Sequence, residues 1–156
     1  MSKTRSGRVA DTPGKAGGGP GYLRTAELEK RFGRPLGVAV GLTQFGVNHV
    51  ILAPGAISAL RHWHEKEDEF VYVLSGEITL VDEAGEHLLK AGDYAGFPAG
   101  EANAHHLINR SDAEATYLEA GARFIGDETV HYPDDPTIGA RTITRGPDGQ
   151  RLKAGD

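Results

Sequence analysis

The chain has 156 residues, of which 38% are hydrophobic, and a formal net charge of −5, which fits one acidic domain with a buried core. The acidic balance argues against a nucleic-acid surface, and the absence of cysteine excludes disulfides, thiolate metal sites and thiol nucleophiles. We find no apolar stretch near the ~20 residues that span a bilayer and no secretory signal, so we expect a cytoplasmic protein that does not contact membranes.

The N-terminal part of the sequence predicts a flexible arm followed by a short helix. Residues 1–21 are polar and glycine-rich, and such a segment buries too little apolar surface to offset its ordering entropy. Residues 22–34 predict the helix, because Thr25 can cap it and Glu27 and Glu29 lie favourably near its N-terminus.

From Leu36 onward, short apolar and β-branched segments alternate with turn sequences. We predict strands at 37–52, 57–64, 69–75, 77–82, 86–90, 93–97, 104–109 and 115–124. Many short strands separated by glycine turns are typical of an all-β sandwich or barrel, which we assign to residues 22–132. Residues 133–156 carry prolines, glycines and charges, and we predict an irregular C-terminal tail there.

Three histidines and one glutamate indicate the chemistry. His62 and His64 lie two residues apart on a predicted strand, so their side chains share a face. Glu69 begins the next strand and His105 begins a later one, so the four side chains can converge inside a barrel. Three neutral imidazoles and a carboxylate hold a divalent transition metal while leaving coordination positions free. A barrel of about eight strands has room inside for one small ligand.

These residues resemble the two sequence motifs of the cupin superfamily. The first motif is matched without a gap by His62, His64, Glu69 and Gly76, whereas its leading glycine, Gly55, lies one residue further from the histidines than usual. The second motif is matched by Gly92, Pro98, Gly100, His105 and Asn109. Four residues instead of two separate Gly100 from His105, which should lengthen a loop at the mouth of the barrel.

The resemblance covers residues 37–124 and is closest to small single-domain bacterial cupins. It implies a double-stranded β-helix, or jelly roll, with one divalent transition metal per chain (Fe, Mn, Ni, Co or Zn) and commonly a homodimer. The implied metal ligands are His62, His64, Glu69 and His105. Because of the longer loop, His106 substitutes for His105 if the strand begins one residue later.

Further residues could line the substrate cavity, namely Gln44, Asn48, Tyr72, Phe97 and Asn103. No second acid–base residue is evident beside the ligand set, so no catalytic residue is assigned. The sequence favours a metal-dependent enzyme (an oxygenase, isomerase, lyase or decarboxylase) that acts on an oxygen-rich or carboxylated small molecule. The alternative is a non-catalytic module that binds a sugar or small acid for sensing or storage, since one fold hosts many functions.

Overall fold

The computed structural model describes residues 3–18 and 24–152, and the chain there consists mainly of strands. The helical pieces are short: a 3₁₀ turn at Val9–Asp11, α1 at Ala26–Glu29 and α2 at Leu36–Ala39. The strands are β1 Lys15–Ala16, β2 Arg31–Pro35, β3 Phe45–Leu52, β4 Trp63–His64, β5 Glu69–Ser75, β6 Glu77–Asp82, β7 Gly85–Lys90, β8 Tyr94–Phe97, β9 His106–Ile108, β10 Ala115–Ala122, β11 Gly126–Tyr132 and β12 Gly139–Arg145.

The strands form two layers that enclose the core. One layer is a six-stranded sheet in the order β1-β2-β3-β10-β5-β8. The other layer contains two three-stranded sheets, β12-β11-β4 and β7-β6-β9, which are linked by an antiparallel bridge between His62 and His105. Strands that are distant in sequence, such as β3, β10 and β5, are neighbours, as in a double-stranded β-helix. The jelly-roll prediction is confirmed.

Successive side chains of β5 point alternately to the core and to the surface. Val71 and Val73 are buried, whereas Phe70, Tyr72 and Leu74 are exposed on the outer face of the six-stranded sheet. The same period of two residues is expected for any strand with one face on a core. Facing apolar side chains from both layers therefore form the core.

The tight turn between β5 and β6 requires glycine. Gly76 has φ +76°, and a Cβ there would lie 2.8 Å from the carbonyl oxygen of Glu114 and 2.9 Å from Cα of Ala115. Both the left-handed backbone and the close approach exclude a side chain. The last glycine of the first motif is therefore explained by backbone geometry.

The N-terminal helix is shorter than predicted. The Thr25 hydroxyl accepts a hydrogen bond from the backbone N–H of Leu28 at 3.2 Å, so the predicted cap is confirmed. The helix ends at Glu29, however, and Arg31–Pro35 forms β2, which pairs with β3. The prediction of helix as far as residue 34 is wrong, because pairing with a sheet edge overrides weak local helix preference. Residues 22 and 23 lie outside the described residues.

Several other segments also differ from the prediction. Residues 37–39 belong to α2, and the predicted strand at 57–64 is reduced to β4 and isolated bridges at Ile57 and His62. The tail predicted to be irregular from residue 133 contains β12, which pairs along its whole length with β11. The sequence pattern does not indicate this hairpin. A charged residue, Glu128, is buried in β11, and Ile143 is the main buried hydrophobic residue of β12. In the arm, β1 pairs with β2, and its flexibility in solution stays a prediction.

Asn109, the last residue of the second motif, has a structural role. It is fully buried, and its Nδ2 donates to the carbonyl oxygens of Leu52 and Ala113 at 2.8 Å each. Its Oδ1 accepts from the backbone N–H and hydroxyl of Ser111 at 2.9 and 2.7 Å. One side chain thus joins β3 to the loop before β10.

We expect Asn109→Ala to lower the free energy of unfolding by about 2–4 kcal/mol, because it leaves buried carbonyl oxygens without donors. The measurement is equilibrium unfolding in urea. Asp112→Ala, at an exposed position of the same loop, is the control and should change stability by less than about 0.5 kcal/mol. Equal effects of the two substitutions would show that the Asn109 network contributes nothing.

Candidate functional site

Three imidazole rings converge on one carboxylate oxygen inside the barrel. The Nε2 atoms of His62, His64 and His105 lie 3.3, 2.9 and 3.5 Å from Oε1 of Glu69. His62 and His105 face each other across the backbone bridge, and Glu69 reaches them from β5 in the opposite layer. The structure therefore brings all four predicted ligands together.

Backbone carbonyls hold two of the rings with Nε2 toward Glu69. Nδ1 of His62 lies 2.7 Å from the carbonyl oxygen of Leu60, and Nδ1 of His105 lies 2.9 Å from that of Asn103. Because a carbonyl oxygen only accepts, each Nδ1 carries a proton, and each ring turns its Nε2 toward the cluster. Where the rings are neutral, as metal ligands are, their Nε2 lone pairs and the carboxylate would repel one another without a cation between them.

The donor set fits a divalent transition metal. Glu69 Oε1 and His105 Nε2 are buried and have no hydrogen-bond partner among the described residues. Donor atoms of His62, Glu69 and His105 all lie within 4.8 Å of one another. Imidazole nitrogens and a carboxylate oxygen suit iron, manganese, cobalt, nickel or zinc. An ion at this point would satisfy the orphaned atoms and remove the repulsion.

Burial and charge act in opposite directions on the cluster. Burial alone would raise the pKa of Glu69, but the facing rings of His105, His62 and His64 hold it well below its ordinary value. Burial alone would lower the pKa of His62, but the Glu69 carboxylate raises it overall. Glu69 is therefore ionised at neutral pH, as a metal ligand must be.

Two buried carboxylates lie behind the third ring. His64 Nδ1 lies 3.5 Å from Oε1 of Glu128 and 3.7 Å from Oε2 of Glu67. Glu128 is fully buried, and Glu67 is 3% exposed. A carboxylate behind a histidine favours the proton on the near nitrogen and fixes the ring orientation, an arrangement that is common at metal sites.

Glu67 is in turn held by a guanidinium. Arg145 Nε and Nη2 donate to its two carboxylate oxygens at 2.6 and 3.0 Å, and the backbone N–H of Phe124 adds a bond of 3.0 Å. Both side chains of the ion pair are buried, with 4% and 11% exposure. Such a bidentate, charge-assisted pair is both strong and directional. It fixes the carboxylate that faces His64.

The inserted loop at 101–104 places His105, and not His106, in the cluster. Arg61 Nε and Nη2 donate to the carbonyl oxygen of Ala104 at 3.3 and 3.2 Å, and Asn103 supplies the carbonyl that orients His105. His106 lies on the other face of β9, with Nδ1 2.9 Å from the carbonyl oxygen of Ala59. It lines a separate cavity of about 380 Å³ together with Leu60, Arg61, Tyr132, Asp134 and Asp135.

The predicted cavity residues are divided between the site and the surface. Phe97 stacks on His105 with ring centroids 3.5 Å apart, and Phe97 and Asn103 line a cavity of about 10 Å³ next to Glu69. Asn48 also lies on the inner face, where it contacts Glu119. Tyr72 and Gln44 are not brought to the site. Tyr72 is 39% exposed because even-numbered residues of β5 point outward, and Gln44 is exposed before β3 begins.

Glu119 is a candidate functional residue that the sequence analysis missed. Its Oε1 accepts hydrogen bonds from Arg31 Nη2 at 2.9 Å and Asn48 Nδ2 at 3.0 Å. Glu119 pairs with Val71 across β10 and β5, so Glu69 is its diagonal neighbour on the inner face, at about 7–8 Å. An acidic residue at the inward position two residues after the buried Tyr117 is the signal that could have found it.

Comparison with known proteins identifies the family. The Cupin domain family model matches residues 48–121. A sugar phosphate isomerase from a cupin superfamily, from Silicibacter pomeroyi, is 42% identical over 94% of this chain and 96% of its own, with a TM-score of 0.76. This chain belongs to the cupin superfamily. The family prediction from the motifs is confirmed.

A second similar crystal structure comes from Acidithiobacillus ferrooxidans, and that protein carries a provisional assignment as a sugar phosphate isomerase. It is 34% identical over 78% of this cupin and 74% of its own chain, with a TM-score of 0.66. No curated protein matches the sequence. Within residues 3–18 and 24–152, no helix is long and apolar enough to cross a membrane. The cytoplasmic location and the homodimer stay predictions.

We expect Arg145→Met to lower the free energy of unfolding by about 3–5 kcal/mol, because it leaves the Glu67 carboxylate buried without its guanidinium. Chemical denaturation measures the change. The double variant Glu67→Leu, Arg145→Met removes both charges and should recover most of the loss. If the double variant is less stable than Arg145→Met, the buried charge of Glu67 is not the cause.

Proposed function

We propose that this cupin is a metal-dependent isomerase that interconverts the aldose and ketose forms of a phosphorylated sugar. The observation that carries the proposal is the convergence of three imidazole nitrogens on the ionised Glu69 carboxylate. The relative with 42% identity is a sugar phosphate isomerase, which favours isomerisation over the oxygenase, lyase and decarboxylase reactions that the same ligand set permits.

The proposed metal ligands are His62, His64, Glu69 and His105. A bound divalent ion would polarise the carbonyl oxygen of the sugar and lower the barrier to removing a proton from the neighbouring carbon. The protein contributes the orientation of the rings, through the carbonyls of Leu60 and Asn103 and the carboxylates behind His64. Phe97 covers one face of His105 and excludes water from it.

Isomerisation also requires a group that moves a proton between adjacent carbons, and we assign this role to Glu119. It lies on the inner face beside the cluster, and its side chain is 30% exposed, so a substrate can reach it. Arg31 and Asn48 both bond its Oε1 and thereby fix its orientation. A carboxylate so placed can accept a proton from one carbon and return it to the next.

The metal site is tested by comparing two adjacent histidines. We expect His105→Ala to weaken Zn²⁺ binding by more than about 100-fold, because a ligand atom is lost. His106→Ala, the matched control, should bind within about threefold of the parent, since its ring lies outside the cluster. Titration of chelator-treated proteins measures both affinities. Parental affinity in His105→Ala would overturn the proposed ligand set.

Activity is tested with the metal-loaded protein and a panel of aldose and ketose phosphates in ²H₂O. We expect conversion with deuterium incorporated at the carbon that exchanges its proton, followed by NMR. Glu119→Gln keeps the hydrogen bonds to Arg31 and Asn48 but removes the base, so kcat should fall by about 10²–10⁴-fold while metal affinity is retained.

Glu114→Gln, at an exposed position before β10, is the matched control and should keep parental kcat. Saturable binding of a sugar phosphate without any product would overturn the isomerase and support the non-catalytic binding module. Parental kcat in Glu119→Gln would remove the acid–base role from this residue.

A further inference from the structure

The guanidinium of Arg123 lies over the inner face of the six-stranded sheet. Gly46 occupies an inward position of β3, in alternation with Asn48 and the buried Val50. A Cβ at Gly46 would lie 3.1 Å from Nε and 3.2 Å from Nη2 of Arg123. Arg123 follows the end of β10, and its half-buried side chain folds back over the glycine.

Among the described residues, Arg123 forms no ion pair within 4.0 Å and no side-chain hydrogen bond. Its Nη1 is buried and has no hydrogen-bond partner among the described residues. Arg31 and Arg145, in contrast, are paired with Glu119 and Glu67. Burial and the nearby charges of Arg145 and Arg151 lower the pKa of Arg123, and the carboxylates of Glu67 and Asp148 oppose this shift without reversing it. An anion at the guanidinium would offset both the burial and the repulsion.

Gly46, Gly121 and Glu69 lie side by side across three neighbouring strands, so no side chain of the sheet stands between Arg123 and the histidine–glutamate cluster. Gly46 lies directly opposite Gly121 on β10, and Gly121 lies directly opposite Glu69 on β5. Two strand spacings, about 10 Å, therefore separate the position under Arg123 from Glu69. The guanidinium lies over Gly46, and Gly121 places no side chain between it and Glu69; a Cβ at Gly121 would lie 3.3 Å from the carbonyl oxygen of Asp68 and 3.9 Å from Cγ of Glu69.

We propose that Arg123 binds the phosphate group of the substrate, with the sugar chain passing Gly121 and its carbonyl end at the cluster of His62, His64, Glu69 and His105. This inference rests on the proposed function and adds the residue that selects phosphorylated sugars. The planar guanidinium matches two phosphate oxygens at once. The separation of about two strand spacings matches a substrate whose carbonyl and phosphate lie at opposite ends of a short carbon chain.

The first test uses inorganic phosphate and chelator-treated protein, so that phosphate cannot bind to a metal. A ³¹P NMR titration should show saturable binding by the parent and at least about 10-fold weaker binding by Arg123→Gln. Arg123→Lys should bind with intermediate affinity, because lysine keeps the positive charge but lacks the parallel N–H donors of a guanidinium. Arg110→Gln, at an exposed arginine of the loop before β10, is the matched control and should bind like the parent.

Absence of saturable phosphate binding by the parent, or equal binding by the parent and Arg123→Gln, would overturn the assignment. Unfolding curves for Arg123→Gln and Arg110→Gln should coincide with that of the parent. If Arg123→Gln is destabilised, the comparison is made between the parent and Arg123→Lys, and equal phosphate affinity of these two would count against the bidentate site.

The second test separates this inference from the proposed function. With a sugar phosphate that the parent converts, Arg123→Gln should raise KM by at least about 10-fold and change kcat less. Conversion with parental KM and parental phosphate affinity in Arg123→Gln would overturn the phosphate site and leave the isomerase intact. Phosphate binding that depends on Arg123, without conversion of any sugar phosphate, would overturn the isomerase and leave the phosphate site intact.

Discussion

The backbone bridge between His62 and His105 determines both the closure of the barrel and the position of the cluster. The two residues exchange hydrogen bonds of 3.0 and 3.3 Å, and these link the sheet of β4 to the sheet of β9. Residues opposite each other in an antiparallel pair extend their side chains to the same face. The rings consequently lie with centroids 5.0 Å apart, so the contact that joins the two sheets also brings together two imidazoles of the candidate metal site.

The charges in the interior favour a cation at the cluster. Four carboxylates lie around the cluster, and two of them have an arginine: Glu119 pairs with Arg31 and Glu67 with Arg145. Glu69 and Glu128, among the described residues, have only histidines within ion-pair distance. An isolated buried carboxylate is costly. A divalent ion at the rings would offset both charges, one by direct contact and the other through His64.

The sequence predicts the cluster more completely than it predicts the strands. His62, His64, Glu69 and His105 follow from the period of a strand and from two motifs, because ligand chemistry restricts the residue type at each position. The boundaries of β2 and β12 do not follow, since pairing partners distant in the chain decide them. The face on which Tyr72 lies does not follow either, because one strand alone does not tell which of its faces is the inner one.

The sequence predicts Asn48 as a cavity residue but not its partner, because contacts on the inner face depend on which strands are paired. Asn48 contacts Glu119 because β3 and β10 are neighbours, although 71 positions separate the two residues in the chain. The glutamate is also absent from both motifs, so no spacing rule points to it. In such a barrel, a ligand set can be read from local spacing, whereas the walls of the cavity depend on which strands are adjacent.

The inward-facing residues of strand β10 contribute both to the hydrophobic core and to the candidate site. Its inward positions run from Tyr117 through Glu119 and Gly121, and Arg123 follows just beyond its end. The first is packed in the core, the second contacts Arg31 and the third leaves the backbone bare. β10 pairs on both sides, with β3 and β5, so its backbone is rigidly held. A substrate-binding surface on such a strand is pre-organised, because neither neighbour can shift without breaking a complete ladder of hydrogen bonds.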